Sequence, residues 1–183
     1  MLQFLSELDG GILLWIQEYL RNPVLTPIVK VITTLGNGGA IWILLTLLIL
    51  MLPKTRKAGC MMMAALLGTL LINNILLKNL VARTRPYEVI EGLTYLVRRP
   101  SEFSFPSGHA GSSFAAAGVM LRRLPKRYGI PAFVLAVLIA LSRLYVGVHY
   151  PSDVLFGVIS GILISYAAEA VVERMWKRKK ERS

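Results

Sequence analysis

Five stretches of this chain approach or reach the roughly 20 mostly apolar residues that a helix needs to cross a bilayer. They run over about 38–52, 58–78, 107–124, 128–147 and 154–172. The first is short unless it borrows from VITTLG before it, and Pro131 is tolerable in the first turn of the fourth. A weaker stretch, about 22–35, carries Pro23, Pro27 and Lys30 and reads as a short or partly inserted helix, which leaves a sixth span open. Residues 2–20 are amphipathic and read as lying on the surface or in the membrane interface. The expected fold is all-α, a polytopic transmembrane bundle of five to six spans with an N-terminal interfacial helix. One domain is expected over 1–183: an interfacial or partly inserted segment over 1–36, the main helix bundle over 37–175 and a basic cytoplasmic tail over 176–183.

Composition agrees with a membrane protein. Of the 183 residues 55% are hydrophobic, and the mean hydropathy is +0.58. The net charge of +11 would suggest nucleic acid in a soluble protein. Here the cations sit in short clusters between apolar runs: Lys54, Arg56 and Lys57; Arg122, Arg123, Lys126 and Arg127; Arg174, Lys177, Arg178, Lys179, Lys180 and Arg182. In a five-span topology all of these fall on one face, and the positive-inside rule makes that face cytoplasmic. The loop 79–105 and the turn around His149 then face outward, or into the periplasm where there is one. The start, MLQFLSELDGG, lacks a basic region followed by an apolar core, so no cleaved signal peptide is expected. Cys60 is the only cysteine and reads as packing. Gly118 and the Gly157/Gly161 pair read as close helix contacts inside the bundle rather than a dimer face.

Ionisable residues at a membrane edge are costly and therefore functional candidates. Three groups map to the outer face. Lys78, Arg83 and Arg85 close the second span, with Lys78 and Arg85 two helical turns apart. Snorkelling would explain any one of them, but three cations on the non-cytoplasmic side favour anion binding. Pro106-Ser107-Gly108-His109 opens the third span. Ser107 is a natural N-cap, the helix start attracts anions, and Gly108 permits close approach of a ligand. Ser142-Arg143 through His149 to Asp153 bridges the last two spans. An Asp beside a His can fix one ring nitrogen as protonated and leave the other free as nucleophile or base. The cations suit a multiply charged oxyanion and the two histidines suit a nucleophile and a general acid. Zinc would want more ligands, and magnesium more carboxylates.

These residues resemble the type 2 phosphatidic acid phosphatase superfamily of integral membrane lipid phosphatases. The three motifs of that family, K-x6-R-P, P-S-G-H and S-R-x5-H-x3-D, match Lys78…Arg85-Pro86, Pro106-Ser107-Gly108-His109 and Ser142-Arg143…His149…Asp153 with order and spacing intact. The resemblance covers about 72–161; the first 50 residues fit loosely, and an additional N-terminal span of longer members is expected to be missing. It implies a metal-free, cofactor-free mechanism. His149 attacks phosphorus to form a phosphohistidine, Asp153 orients it, and His109 protonates the departing oxygen and then activates water. Lys78, Arg85, Arg143, Ser107 and the Gly108 N–H hold the phosphate, and Arg83 has no assigned role.

The site at a membrane edge implies an amphiphilic phosphorylated lipid as partner, with no nucleic acid and an open oligomeric state. Undecaprenyl diphosphate is the first expectation, with Arg98 and Arg99 as candidates for a second phosphate. Phosphatidylglycerophosphate, phosphatidic acid, diacylglycerol pyrophosphate and lipid A phosphates are alternatives. The same motifs resemble soluble vanadium haloperoxidases, a reading that the apolar spans oppose. A non-catalytic binder of anionic lipid would explain the basic clusters but not His109, His149 and Asp153 together.

Overall fold

Glycine and alanine let one helix sit at the centre. The structure is a computed structural model that describes residues 2–181, with side chains for 7–179 and 181. Arg182 of the last basic cluster, the side chain of Lys180 and the end of the expected tail lie outside the described residues. So do the side chains of residues 2–6 in the expected interfacial helix. All described elements are helical: α1 (Leu2–Trp15), α2 (Leu25–Leu35), α3 (Ala40–Met51), α4 (Arg56–Thr69), α5 (Lys78–Val81), α6 (Pro86–Val89), α7 (Gly108–Arg123), α8 (Lys126–Tyr145) and α9 (Pro151–Lys180). Helix α7 packs against α4, α8 and α9. Its Ala110, Ala115, Ala116, Ala117 and Val119 are fully buried. A Cβ at Gly157 of α9 would lie 2.7 Å from the Ser107 carbonyl oxygen, and Gly161 meets the Gly111 backbone in the same way. The G-x-x-x-G pair thus serves packing within the bundle, as the sequence suggests.

Among the described residues, three helices are long and apolar enough to cross a membrane: 56–89, 126–145 and 151–179. A fourth arises if α2 and α3, bent by 47°, count as one broken span. Length and composition therefore support three or four spans where the sequence suggests five to six, for two reasons. Residues 25–35 and 37–51 join through a glycine break in which Gly38 and Gly39 take φ of 59° and 71°, a left-handed conformation open to glycine. The other is that α7 has only 16 residues and is walled in by its neighbours.

The span that starts at α4 does not stay α-helical. It widens into a π-helix over Leu70–Leu77 and then continues as α5. Such widened turns are rare and cluster at functional sites. The chain leaves the rod at Ala82, in a left-handed conformation at φ 48°.

The two ends of the bundle differ. At one end the basic clusters converge on two carboxylates: Arg122 and Arg123 on Glu169 at 2.6 Å, and Lys57 and Arg123 on Glu173 at 2.9 Å. At the other, α1 and the π-turn Ile16–Leu20 lie across the loop 90–107 and the start of α9. Leu13 packs with Leu93 and Tyr150, and Ile16 with Tyr145, Val146 and Val148. The opposite face exposes Trp15 and Tyr19, aromatics suited to a membrane interface. Arg21 pins this segment by donating to the Tyr145 carbonyl, Gln17 and Thr94.

Candidate active site

The site is built where α7 and α9 begin and α5 and α8 end. Ser107 has extended dihedrals, and its hydroxyl accepts from the Ala110 N–H at 3.4 Å, which caps α7. Its own N–H donates to the Asp153 carbonyl at 3.1 Å, which joins the start of α7 to α9. Gly108 opens the helix, and His109 follows with Nε2 3.1 Å from Asn37 Oδ1 in the glycine break.

Lys78 follows the π-helix as the first residue of α5, and it is buried and paired with Glu102. Arg85 is also buried. It donates to the carbonyls of Glu102 at 2.9 Å and Val148 at 2.7 Å, and to His149 Nε2 at 3.1 Å. Arg143 donates to Thr33 Oγ1 at 2.6 Å, while its buried Nε has no partner among the described residues.

His149 is 2% exposed. A guanidinium can only donate, so the Nε2 that meets Arg85 is the unprotonated nitrogen and Nδ1 carries the proton. Nδ1 faces Asp153 Oδ2 at 3.5 Å, longer than a hydrogen bond. Burial pushes the imidazole down to about 3, opposed by Asp153 and reinforced by Arg85 and Arg143. The ring is thus neutral at ordinary pH, with a lone pair directed among cations. Asp153 is fully buried. It accepts from the Tyr150 N–H at 3.0 Å, from Ser104, and from Arg83 at 2.7 Å.

Lys78, Arg85, Gly108, His109, Arg143 and His149 line one cavity of about 980 Å³. Asp153 stands behind His149, outside the lining. Ser107 is fully buried and its side chain does not reach the wall; the neighbouring Gly108 does. Ile43, Leu66, Leu67 and Leu70 form an apolar side of the cavity, and Lys30 and Arg98 also line it. Arg99 lines it too but is paired with Glu88. Three buried cations with Glu102 as their one ion partner among the described residues make a receptor for a multiply charged anion. Buried charge is tolerated where an opposite charge is supplied. Among the described residues no three His, Cys, Asp or Glu side chains come together.

Sequence reasoning missed several participants. Asn37, Thr33, Ser104 and Glu102 are ordinary polar residues that become contacts only through the fold. Asn73-Asn74 left a signal, a polar pair inside an apolar run. Asn73 donates to Ser160 at 2.8 Å and Asn74 lines the cavity. Asp9 left a weaker signal, as one of two carboxylates with Glu7 in a mostly apolar stretch.

The PAP2 superfamily model matches residues 57–177, which include all three motifs. An undecaprenyl-diphosphatase of Sulfolobus acidocaldarius is 34% identical over 126 residues, covering 69% of this chain but only 61% of that relative's length. A decaprenylphosphoryl-5-phosphoribose phosphatase of Mycobacterium tuberculosis is 39% identical over 134 residues, 71% of each chain. The crystal structure of a PAP2 type phosphatidylglycerolphosphate phosphatase from Bacillus subtilis superposes with a TM-score of 0.73 at 31% identity. It covers 92% of this chain and 86% of that one.

Proposed function

The chain belongs to the PAP2 superfamily, and from that membership and the chemistry of the cavity we propose a membrane lipid phosphatase that works through a phosphohistidine. The observation that carries this reading is the unprotonated Nε2 of His149, held 3.1 Å from Arg85 in a cavity that Lys78 and Arg143 also line. A substrate phosphate displaces Glu102 from Lys78 and takes over the Arg85 donor. His149 Nε2 then forms a bond to phosphorus as the bond to the leaving oxygen breaks. His109, on the first turn of α7, enters this step as an imidazolium that the charge of the bound phosphate stabilises, and it gives that oxygen its proton. In the second step the neutral His109 takes a proton from water, whose oxygen bonds to phosphorus as the bond to His149 Nε2 breaks, releasing inorganic phosphate and restoring the His149 imidazole and the His109 imidazolium. The fixed cations and the Gly108 N–H stabilise the charge that grows on the equatorial oxygens. No step requires a metal.

The preferred substrate is undecaprenyl diphosphate, cleaved to undecaprenyl phosphate and phosphate. Two features support it. Lys30 and Arg98 line the same cavity without an ion partner among the described residues, which suits a second phosphate. The apolar wall from Ile43 to Leu70 suits a long tail. The relatives above are named for three different lipid head groups, so phosphatidylglycerophosphate is the second choice. The cationic clusters at the far end of the bundle support a site on the outer face of the membrane, with the C-terminus inside. Phosphate release by purified protein from undecaprenyl diphosphate, phosphatidylglycerophosphate, phosphatidic acid and lipid A, compared side by side, tests the choice. Equal rates on all four would retire it and leave a broad lipid phosphatase; no release from any would remove the activity.

A further inference from the structure

Arg83 stands between the two cations of the first motif, yet it turns away from the cavity that they line. Its guanidinium donates to Asp153 Oδ1 at 2.7 Å, to Ser152 Oγ at 2.7 Å and to Asp9 Oδ2 at 2.9 Å, and stacks 3.7 Å above the Tyr150 ring. Asp9 belongs to α1, far outside the residues that the family model matches. It is buried, and it accepts from the Ser152 N–H at 3.0 Å at the start of α9, and from the Ser152 hydroxyl. A second tie runs through Ser104, whose N–H donates to the Arg83 carbonyl at 2.8 Å and whose hydroxyl donates to Asp153.

We infer that Asp9 and Arg83 are positioning residues for the nucleophile, acting through Asp153. This rests on the reading of His149 as that nucleophile. Asp153 Oδ2 is the oxygen that faces His149 Nδ1, and it also accepts from the Tyr150 N–H and the Ser104 hydroxyl. Arg83 fixes Oδ1, the other end of the carboxylate, and with these donors keeps Oδ2 pointing at the imidazole. Arg83 is itself a long side chain with freedom to move, and Asp9 clamps its other nitrogen. The clamp also holds the first turn of α9, which carries Asp153. The N-terminal helix therefore acts as part of the active centre and not as a membrane anchor alone. A fixed carboxylate holds the proton on Nδ1 and keeps the Nε2 lone pair toward the phosphate. Small displacements of such a group cost rate more than binding.

The test uses the full chain in detergent, with Asp9→Asn, Arg83→Lys and Arg83→Gln variants. Asp9→Asn and Arg83→Gln should lower kcat on undecaprenyl diphosphate about 10- to 100-fold, with KM and the inhibition constant of inorganic phosphate within about 2-fold. Arg83→Lys should recover part of the loss. Radioactive phosphate retained on the protein after an alkaline quench should fall in step with kcat. A rise in the phosphate inhibition constant matching the loss of rate would make Arg83 a phosphate ligand and overturn the inference. Wild-type kcat in Asp9→Asn would reduce α1 to packing. An independent arm is nitrogen-15 NMR of His149 in the His109→Gln background, where one histidine remains of two. The Nδ1–H tautomer should dominate when Arg83 and Asp9 are present and give way to a mixture in Arg83→Gln and Asp9→Asn. An unchanged tautomer in both overturns the positioning role. A wild-type protein that hydrolyses no lipid phosphate would strike the proposed function, while the tautomer measurement would still decide this one.

Discussion

Arg85 donates to Nε2 of His149 at 3.1 Å, which brings a cation of the first motif onto the imidazole of the third, 64 residues away. The contact defines both roles in the resting protein. It marks the nitrogen that holds the lone pair, and it places the guanidinium where a phosphate on that nitrogen would be. Replacing Arg85 with lysine keeps the charge but removes the planar fork. Arg85→Lys should lower kcat/KM by about 100-fold, the size expected for a lost oxyanion donor. His149→Ala should lower kcat by about 10⁴-fold or more, with no phosphate retained on the protein. Steady-state phosphate release and quench labelling check both, and near-wild-type turnover by folded His149→Ala would remove it as nucleophile.

The buried imidazole predicts a pH effect on stability. Unfolded, His149 gains its proton near 6.5; folded, near 3. Above about pH 6.5 neither state binds the proton and the group is neutral to stability. As pH falls through that window the unfolded state binds more protons, so stability is lost. The slope from this one group is about 1.4 kcal/mol per pH unit. Other carboxylates titrate in the same range, so the wild type is compared with His149→Gln. Thermal unfolding in detergent should show the wild type losing more stability on acidification. Parallel curves would show that the folded imidazole titrates like a free one.

Glu102 lies on Lys78 in the resting protein, although its own side chain is 64% exposed. A carboxylate there competes with phosphate for the same cation. Removing the charge should favour substrate, and because solvent screens the largely exposed Glu102 carboxylate, holding the pair to about 1 kcal/mol, the effect is modest. Glu102→Gln should lower the inhibition constant of inorganic phosphate by up to about 5-fold. A weaker phosphate affinity in the variant would instead make Glu102 a support that holds Lys78 in place.

Much of this site could be read from the sequence because its side chains are rare and expensive in an apolar chain. There are only two histidines, and each falls at the edge of an apolar run, His109 directly after Pro106-Ser107-Gly108 and His149 between Arg143 and Asp153. The contacts that complete the site were not legible. Thr33 reaches Arg143 across 110 residues and Asn37 reaches His109 across 72, and nothing in a threonine or an asparagine announces such a partner. The fold shows the same division. Apolar length revealed the helices, but the joining of α2 to α3 depends on Gly38 and Gly39 turning left-handed in a short polar break, and hydropathy does not report dihedral angles. Ser107 is a further case: its motif suggests phosphate contact, whereas its hydroxyl caps α7 from a fully buried position.

The selectivity of the enzyme is expected to lie with Lys30 and Arg98. They approach the cavity from α2 and from the loop 90–107, and neither has an ion partner among the described residues, while Arg99 is held by Glu88. A monophosphate at His149 already has the buried Lys78, Arg85 and Arg143 around it, so it is expected to gain little from two exposed cations. A diphosphate extends its second phosphate toward them. Contacts between exposed cations and a phosphate are weaker than buried ones, on the order of 1 kcal/mol each, or about 5-fold in affinity. The Lys30→Gln/Arg98→Gln double variant should therefore raise KM for undecaprenyl diphosphate by about 10- to 30-fold if the two contacts add. It should leave kcat nearly unchanged, because the contacts are the same in ground state and transition state. KM for phosphatidic acid should change by less than about 3-fold. Equal losses on both lipids would show that the two cations attract anionic lipid to the membrane face without distinguishing head groups.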